Sequence, residues 1–387
     1  MSTSDVCAIP DPCRYRRVLI IRLSAIGDVL RTLPALNAWW EACPQTRFTW
    51  LVEPAAASVL EGHPALEKVL VFERRLWSGS WRSPRRLGRG LAVSWALLRE
   101  LRAQKFDLVL DAHGILKSAL LARLSGARER VGFARPDAKE GSQLFYQRCF
   151  KPTGVKLNRV DRALQLTAFL GVAPAGPPRY HLALTADHRQ AAAASLFELN
   201  QLTGNGPLLV LHPGSSPKTA YKRWHQNGYV GLINALVEKL AARVLLTWGP
   251  GERETVELIA GQVRVPVAVA GKTSSLLDLA AIFAACDLFV GGDTGPMHLA
   301  AAVGTPVVAI FGPTHPQVNA PCGVPWRLVR YPLFCSPCRK RSCKSRLCLE
   351  AVGWRRVLVE VEGLLHEIKK QSLVSVRVPG AGPSNER

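Results

Sequence analysis

Three short runs carry the residue types needed for chemistry at a phosphate or a sugar. Ser24-Ala25-Ile26-Gly27-Asp28-Val29 follows an apolar stretch and sets a flexible turn and a carboxylate where a helix begins. Open α/β sheets bind ligands at that edge. Asp28 equally suits a cap on the following helix. Pro213-Gly214-Ser215-Ser216-Pro217-Lys218 and then Lys222-Arg223-Trp224 put small and hydroxylated residues, followed by cations, just ahead of another helix. Hydroxyl and backbone N–H donors with a Lys charge suit a phosphate group, and a solvated loop reads the same way. In Gly291-Gly292-Asp293-Thr294-Gly295-Pro296-Met297-His298 the glycines permit close backbone approach to a ligand, and Thr294 and Gly295 offer N–H groups at a helix start. Proline in a first helical turn fits an ordinary helix start as well. Neither the G-x-G-x-x-G dinucleotide fingerprint nor the P-loop spacing occurs.

The elements that must hold these runs follow from patterning. Val-, Ile- and Leu-rich runs at 17–23, 48–52, 68–72 and 106–111 read as parallel strands, with helices at 28–40, 91–104 and 115–124 between them. After the Pro-rich 173–178 linker a second series begins, with strands at 207–212, 243–248, 265–269, 287–291 and 306–311. Its helices fall at 224–240, 252–261, 275–286 and 295–303, and 354–370 forms one last helix. The expected fold class is therefore α/β, two doubly wound Rossmann-like domains in series. The expected divisions are 1–182, 183–352, and a helix with tail from 353 to 387. No internal repeat is visible.

A length of 387 residues suits two domains, and 48% hydrophobic against 20% charged residues describes a globular chain. The first residues lack the basic and apolar parts of a secretory signal, so a cytoplasmic protein is expected. A formal net charge of +21 predicts attraction to a polyanion, whether nucleic acid, anionic lipid or phosphorylated glycan. Residues 73–105 hold nine of the Lys and Arg against two acids, with Trp77, Trp81 and Trp95 interspersed. Such a segment suits an anionic membrane surface or acceptor, or a plain solvated face. Four of ten cysteines form Cys335-x2-Cys338-x4-Cys343-x4-Cys348, which reads either as a structural metal site or as reduced thiols. Cys7, Cys13, Cys43, Cys149, Cys286 and Cys322 read as ordinary small apolar residues.

Taken together, Ser24 to Leu30, Asp111-Ala112-His113-Gly114-Ile115-Leu116-Lys117-Ser118, Lys222-x-Trp224, Gly271-Lys272-Thr273-Ser274 and Gly292-Asp293-Thr294-Gly295-Pro296-x-His298 resemble the successive signatures of glycosyltransferase family nine. These are the ADP-heptose:lipopolysaccharide heptosyltransferases, and the first two motifs are most similar to the heptosyltransferase I branch. The resemblance implies a GT-B architecture and inverting transfer of heptose from ADP-heptose to the Kdo-lipid A inner core. It implies a site in the cleft between domains, on the cytoplasmic face of the inner membrane. It implies that Asp28 is the general base. Ser215, Ser216 and Lys222 would hold the donor diphosphate, Thr294 and Gly295 would complete that cradle, and Asp293 would meet the transferred sugar. Either Glu252 or Glu254 would reach the ribose, and Thr273 would lie near the adenine. Arg74 and Arg75 match acceptor-binding positions, whereas Ser78 and Gly79 stand where basic residues follow in the family pattern. No metal is expected in catalysis.

Two other classes compete. A sugar-nucleotide epimerase of the same architecture would gather its acids and bases around the sugar nucleotide itself. A nucleic-acid-binding protein would explain the charge, but no recognition-helix, zinc-finger or stacking-sheet signature accompanies it. Two structural expectations complete the reading: the last helix packs back toward the first domain, and Asp28→Asn, which keeps volume, barely moves the melting temperature.

Overall fold

The computed structural model describes residues 11–73, 84–200 and 205–376. Its first sheet holds β1 (Arg17–Ile21), β2 (Arg47–Val52), β3 (Leu66–Val71), β4 (Leu108–Asp111), β5 (Glu129–Phe133) and β6 (Arg148–Phe150). The second holds β7 (Leu208–His212), β8 (Arg243–Leu246), β9 (Ala268–Val269), β10 (Leu288–Gly292), β11 (Val307–Phe311) and β12 (Trp326–Arg330). The orders are β3-β2-β1-β4-β5-β6 and β12-β11-β10-β7-β8-β9. Each sheet thus steps outward from its first strand and then jumps to that strand's other side. The jump leaves a crevice at β1/β4 and another at β7/β10, the topological switch points where such sheets take ligands.

The helices are α1 (Ile26–Leu30), α2 (Leu33–Ala42), α3 (Pro84–Ala103), α4 (Leu116–Leu124), α5 (Arg159–Ala168), α6 (Ala186–Asn200) and α7 (Gln226–Leu240). They continue with α8 (Arg253–Ala260), α9 (Leu276–Ala284), α10 (Gly295–Ala302), α11 (Pro316–Asn319), α12 (Leu347–Glu350) and α13 (Trp354–Val376). Strand pairing is parallel throughout, for example Ile20 opposite Trp50 on one side and Leu110 on the other. Parallel strands sit between two helical layers, which is why Val18, Leu19, Ile20 and Ile21 are all buried. Where one helix was expected over 28–40 there are two, because Pro34 in the first turn of α2 has no N–H to continue α1.

One core cluster runs from Val18 and Trp39 under the first sheet to Phe283 and Phe311 under the second, so the halves share buried surface. Across the cleft α1 meets α10. A Cβ on Gly27 would stand 2.8 Å from the His298 ring, closer than such contacts allow, so glycine is required for this approach.

Two expectations are corrected here. Helix α13 does not return to the first sheet. It lies on α7, β11 and β12, because Val357, Leu358, Val361 and Leu364 complete the core of the second sheet. Cys13 and Cys43 are not separate apolar residues but a disulfide, since the turn before β1 lies against the end of α2 with the two Cα atoms 5.2 Å apart. Among the described residues no helix is long and apolar enough to cross a membrane.

Candidate functional site

On the first sheet the site forms at the β1/β4 crevice. The chain leaves β1 through Arg22, turns, and enters α1, whose N-cap is Ala25 rather than Asp28. The Asp28 side chain is therefore free of capping, and three guanidinium groups take it up. Arg22 reaches its Oδ2 at 2.8 Å, while Arg159 reaches Oδ1 at 2.7 Å and Arg31 bonds the same oxygen. Burial alone would raise the pKa of this carboxyl; the arginines outweigh it and hold it well below the usual carboxylate range.

The arginines are themselves anchored. Arg31 donates to the Gly27 carbonyl at 3.0 Å and to Asn319 Oδ1 at 2.9 Å, the second bond crossing the cleft to α11. Arg22 donates to the Ala112 carbonyl at the end of β4. The run from Asp111 to Gly114 shapes that end. Buried Asp111 accepts from the N–H of His113 at 2.8 Å, from that of Gly114 at 3.1 Å and from the Tyr146 hydroxyl at 2.7 Å. His113 Nδ1 in turn accepts from the Leu23 N–H at 3.1 Å, fixing the β1 turn. Burial and then Arg22 hold this imidazole neutral, with its pKa lowered to about 3.

On the second sheet the loops after β7 and β10 are neighbours. Lys222 Nζ donates at 2.9 Å to Asp293 Oδ2 and at 3.0 Å to the Asp293 carbonyl. Burial raises the Asp293 pKa, but the nearby His298 ring, 3.8 Å away, and the charge of Lys222 more than reverse that, leaving it far below its ordinary value. Buried Ser215 accepts from Arg223 at 3.1 Å, and Ser216 shares a 2.9 Å bond with Thr219. Thr294 is the N-cap of α10 and makes no side-chain cap bond, so its N–H groups and those after it are left for another partner.

Glu252 lies buried against the Gly214 turn, paired with His212 at 3.3 Å and accepting from the Gly249 N–H at 2.8 Å. Glu254 is exposed on α8. Of the two glutamates left open by spacing, Glu252 is the one at the loop that carries Ser215. Thr273 stands apart, on the loop beyond edge strand β9. Arg74 and Arg75 lie outside the described residues.

Of the two readings of the cysteine quartet, a structural metal finds no support among the described residues. Cys335, Cys338, Cys343 and Cys348 line one cavity with Tyr221 and Arg346. Yet among the described residues no group of three or more His, Cys, Asp or Glu side chains is arranged to hold a metal ion. The loop works as a brace. Ser336 Oγ donates to the Gly312 carbonyl at 2.7 Å, the Cys338 N–H to that of Pro313 at 3.0 Å, and Arg346 to that of Arg223.

Reasoning from sequence missed the arginine ring. Arg31, three residues after Asp28, was a legible signal for a pair on one helix face. Arg159 gave none, being 131 residues away in the chain.

The family profile of glycosyltransferase family 9 (heptosyltransferase) matches residues 94–348. The chain is 30% identical to lipopolysaccharide heptosyltransferase 1 of Pseudomonas aeruginosa over 370 residues, 90% of this chain and 98% of that protein. It is 32% identical to lipopolysaccharide heptosyltransferase 1 of Escherichia coli K12 over 307 residues, 78% of this chain and 89% of the relative. Among solved structures, E. coli heptosyltransferase WaaC with ADP superposes with a TM-score of 0.70 at 27% identity, covering 90% of this chain and 99% of that one.

The arginine ring overturns the expectation that Asp28→Asn is thermally silent. Removing the one charge that neutralises three guanidiniums should cost on the order of 2 kcal/mol, less than for a fully buried pair because the cluster reaches solvent. A carboxyl whose folded-state pKa lies below its unfolded value contributes fully above the unfolded value, and loses that contribution as pH falls through the lower one. Denaturation of wild type and Asp28→Asn should therefore show a constant gap near neutrality that narrows in acid; coincident curves at pH 7 would contradict the ring.

Proposed function

We propose, for a chain that belongs to glycosyltransferase family 9, that it transfers a heptose from ADP-heptose to the Kdo-lipid A inner core in lipopolysaccharide biosynthesis, with inversion. The observation that carries this reading is the meeting of two crevices. A carboxylate stands at the switch point of one sheet, and a lysine beside an uncapped helix N-terminus stands at that of the other, with Gly27 and His298 in contact between them. An epimerase would place its acid and base groups around one sugar nucleotide, whereas Asp28 stands on the opposite sheet from Lys222.

In the proposed reaction the acceptor hydroxyl oxygen forms a bond to the anomeric carbon of the heptose while the bond from that carbon to the diphosphate oxygen breaks. The hydroxyl proton passes to Asp28, and the electron pair of the broken bond leaves with ADP. Lys222, the hydroxyls of Ser215 and Ser216, and the N–H groups at Thr294 and Gly295 hold the diphosphate and take up its growing charge. Asp293 orients the sugar and keeps Lys222 in place. Glu252 meets the ribose, and Thr273 the adenine. The acceptor half comprises 1–182 and the donor half 183–352. Closing the cleft between them excludes water, which would otherwise consume the donor.

The acceptor's lipid anchor implies a peripheral position on the cytoplasmic face of the inner membrane. The basic run 73–105, with Arg74 and Arg75 for the acceptor and Trp95, 66% exposed on α3, supports contact with an anionic bilayer surface. Specific nucleic-acid binding has no comparable support.

Lys222→Ala should keep a cooperative melting transition but weaken ADP-heptose binding by about 1.5–3 kcal/mol, roughly tenfold to a hundredfold. Calorimetry against ADP-, UDP- and GDP-sugars reads this directly, and an unchanged ADP-heptose affinity removes Lys222 from the donor site. A preference for UDP- or GDP-sugars sinks the donor assignment.

Transfer should also persist in EDTA, because Lys222 and the α10 N-terminus neutralise the leaving diphosphate. Loss of rate that magnesium restores would contradict it.

A further inference from the structure

Three arginines on one carboxylate are an odd setting for a base, since each stabilises the charged form and weakens its pull on a proton. They are not held alike. Arg31 is fixed at Gly27 and Asn319 as well as Asp28, and Arg22 at the Ala112 carbonyl as well as Asp28. Arg159, the first residue of α5, has one guanidinium hydrogen bond among the described residues, to Asp28 Oδ1, and is the most exposed of the three at 30%.

The surroundings carry unspent positive charge. One turn along α5, Arg162 pairs with Asp137 at 3.0 Å and lies over the Phe133 ring, yet its buried Nε–H has no hydrogen-bond partner among the described residues. The buried Nε–H of Arg22 has no partner among the described residues either. Arg22, Arg31, Arg159 and Arg162 line a single pocket beside Asp28, and among the described residues Asp28 is the one acid in its wall. A planar anion such as a sugar carboxylate fits such a set, because guanidinium groups bind carboxylates through paired N–H donors.

Resting on the reading of Asp28 as the base, we propose that Arg159 is a lock displaced by the acceptor: its guanidinium covers Asp28 Oδ1 until a carboxylate on the acceptor draws it away. The freed oxygen then receives the proton of the acceptor hydroxyl. Arg159 is a positioning residue, acting on the reaction through Asp28. The lock ties base strength to the presence of an acidic acceptor and keeps Asp28 a poor base toward water while the donor waits alone. Besides the three arginines in contact, the titratable groups that face Asp28 are Arg162 from α5, His113 from the end of β4 and His298 from α10. His113 and His298 have pKa values lowered by burial to about 3 and about 4, so both are neutral at the pH of the assay.

The test uses the full chain with ADP-heptose and two acceptors, Kdo-lipid A and its Kdo methyl ester, which lacks the carboxylate. In the wild type the ester should lower kcat by about tenfold or more, the scale of one pKa change in the base. In Arg159→Ala the kcat ratio of acid to ester should fall toward unity. ADP release to water without acceptor should rise several-fold, and the acid limb of that hydrolysis should move to higher pH. Arg159→Gln, closer in shape, should behave alike and serves if the alanine variant does not melt cooperatively. An unchanged acid-to-ester ratio in kcat with unchanged donor hydrolysis overturns the lock, even if KM rises, since that is what a simple acceptor contact gives. Asp28→Asn run beside it separates the premises. Normal turnover there overturns the base and the lock together, whereas a dead Asp28→Asn with an unaltered Arg159→Ala overturns the lock alone.

Discussion

A carboxylate closed in by protein must be compensated, and the way Asp28 is compensated organises the first half of the molecule. Its partners come from the end of β1, from the α1–α2 junction and from α5, so elements far apart in the chain are tied at one point. Each arginine then extends the tie: Arg22 to β4 through Ala112, and Arg31 across the cleft through Asn319. The β4 turn depends on Asp111, whose burial raises its pKa and whose oxygens are shared among the His113 and Gly114 N–H groups and Tyr146. What looks like a conventional strand-end loop is thus a charge network, and the position of the second sheet is part of it.

The second half solves the opposite problem, holding a cation in place beside a helix N-terminus. Lys222 is held by Asp293, and Asp293 by its proximity to His298, which also packs on Gly27. The same residues that hold Lys222 therefore touch the sheet that carries Asp28. The cysteine loop adds stiffness from outside through Gly312, Pro313 and Arg223. A glycosyl transfer in which one sheet supplies the base and the other receives the leaving diphosphate needs this coupling, since neither sheet completes the site alone.

Much of this was legible in the residue order. The buried strands nearest each switch point announce themselves by unbroken apolar runs, as in Val18 to Ile21 and Val307 to Phe311. Three strands, β5, β6 and β12, do not. Glu129–Phe133 and Trp326–Arg330 mix charges with apolar residues, and Arg148–Phe150 is only three residues long, too short for periodicity to register. The loops carrying Asp28, Lys222 and Asp293 stood out because glycine, hydroxyl and charged types cluster at strand ends. The environment of Asp28 did not, because ion pairs between distant segments leave no local spacing to read. That is also why the cap reading survived on sequence and fails in the structure, where Ala25 occupies the cap and arginines occupy the carboxylate.

In the proposed reaction the carboxylate in this ring takes the acceptor's proton. The most direct test of this is single-turnover transfer from ADP-heptose to Kdo-lipid A by Asp28→Asn, run well below the variant's own melting temperature and at saturating donor. General-base assistance is typically worth about 10²–10⁴-fold, so the transfer rate constant should fall by two orders of magnitude or more while donor affinity stays near that of the wild type. A variant that turns over at close to the wild-type rate would contradict the account, leaving Asp28 as a structural anion for Arg22, Arg31 and Arg159.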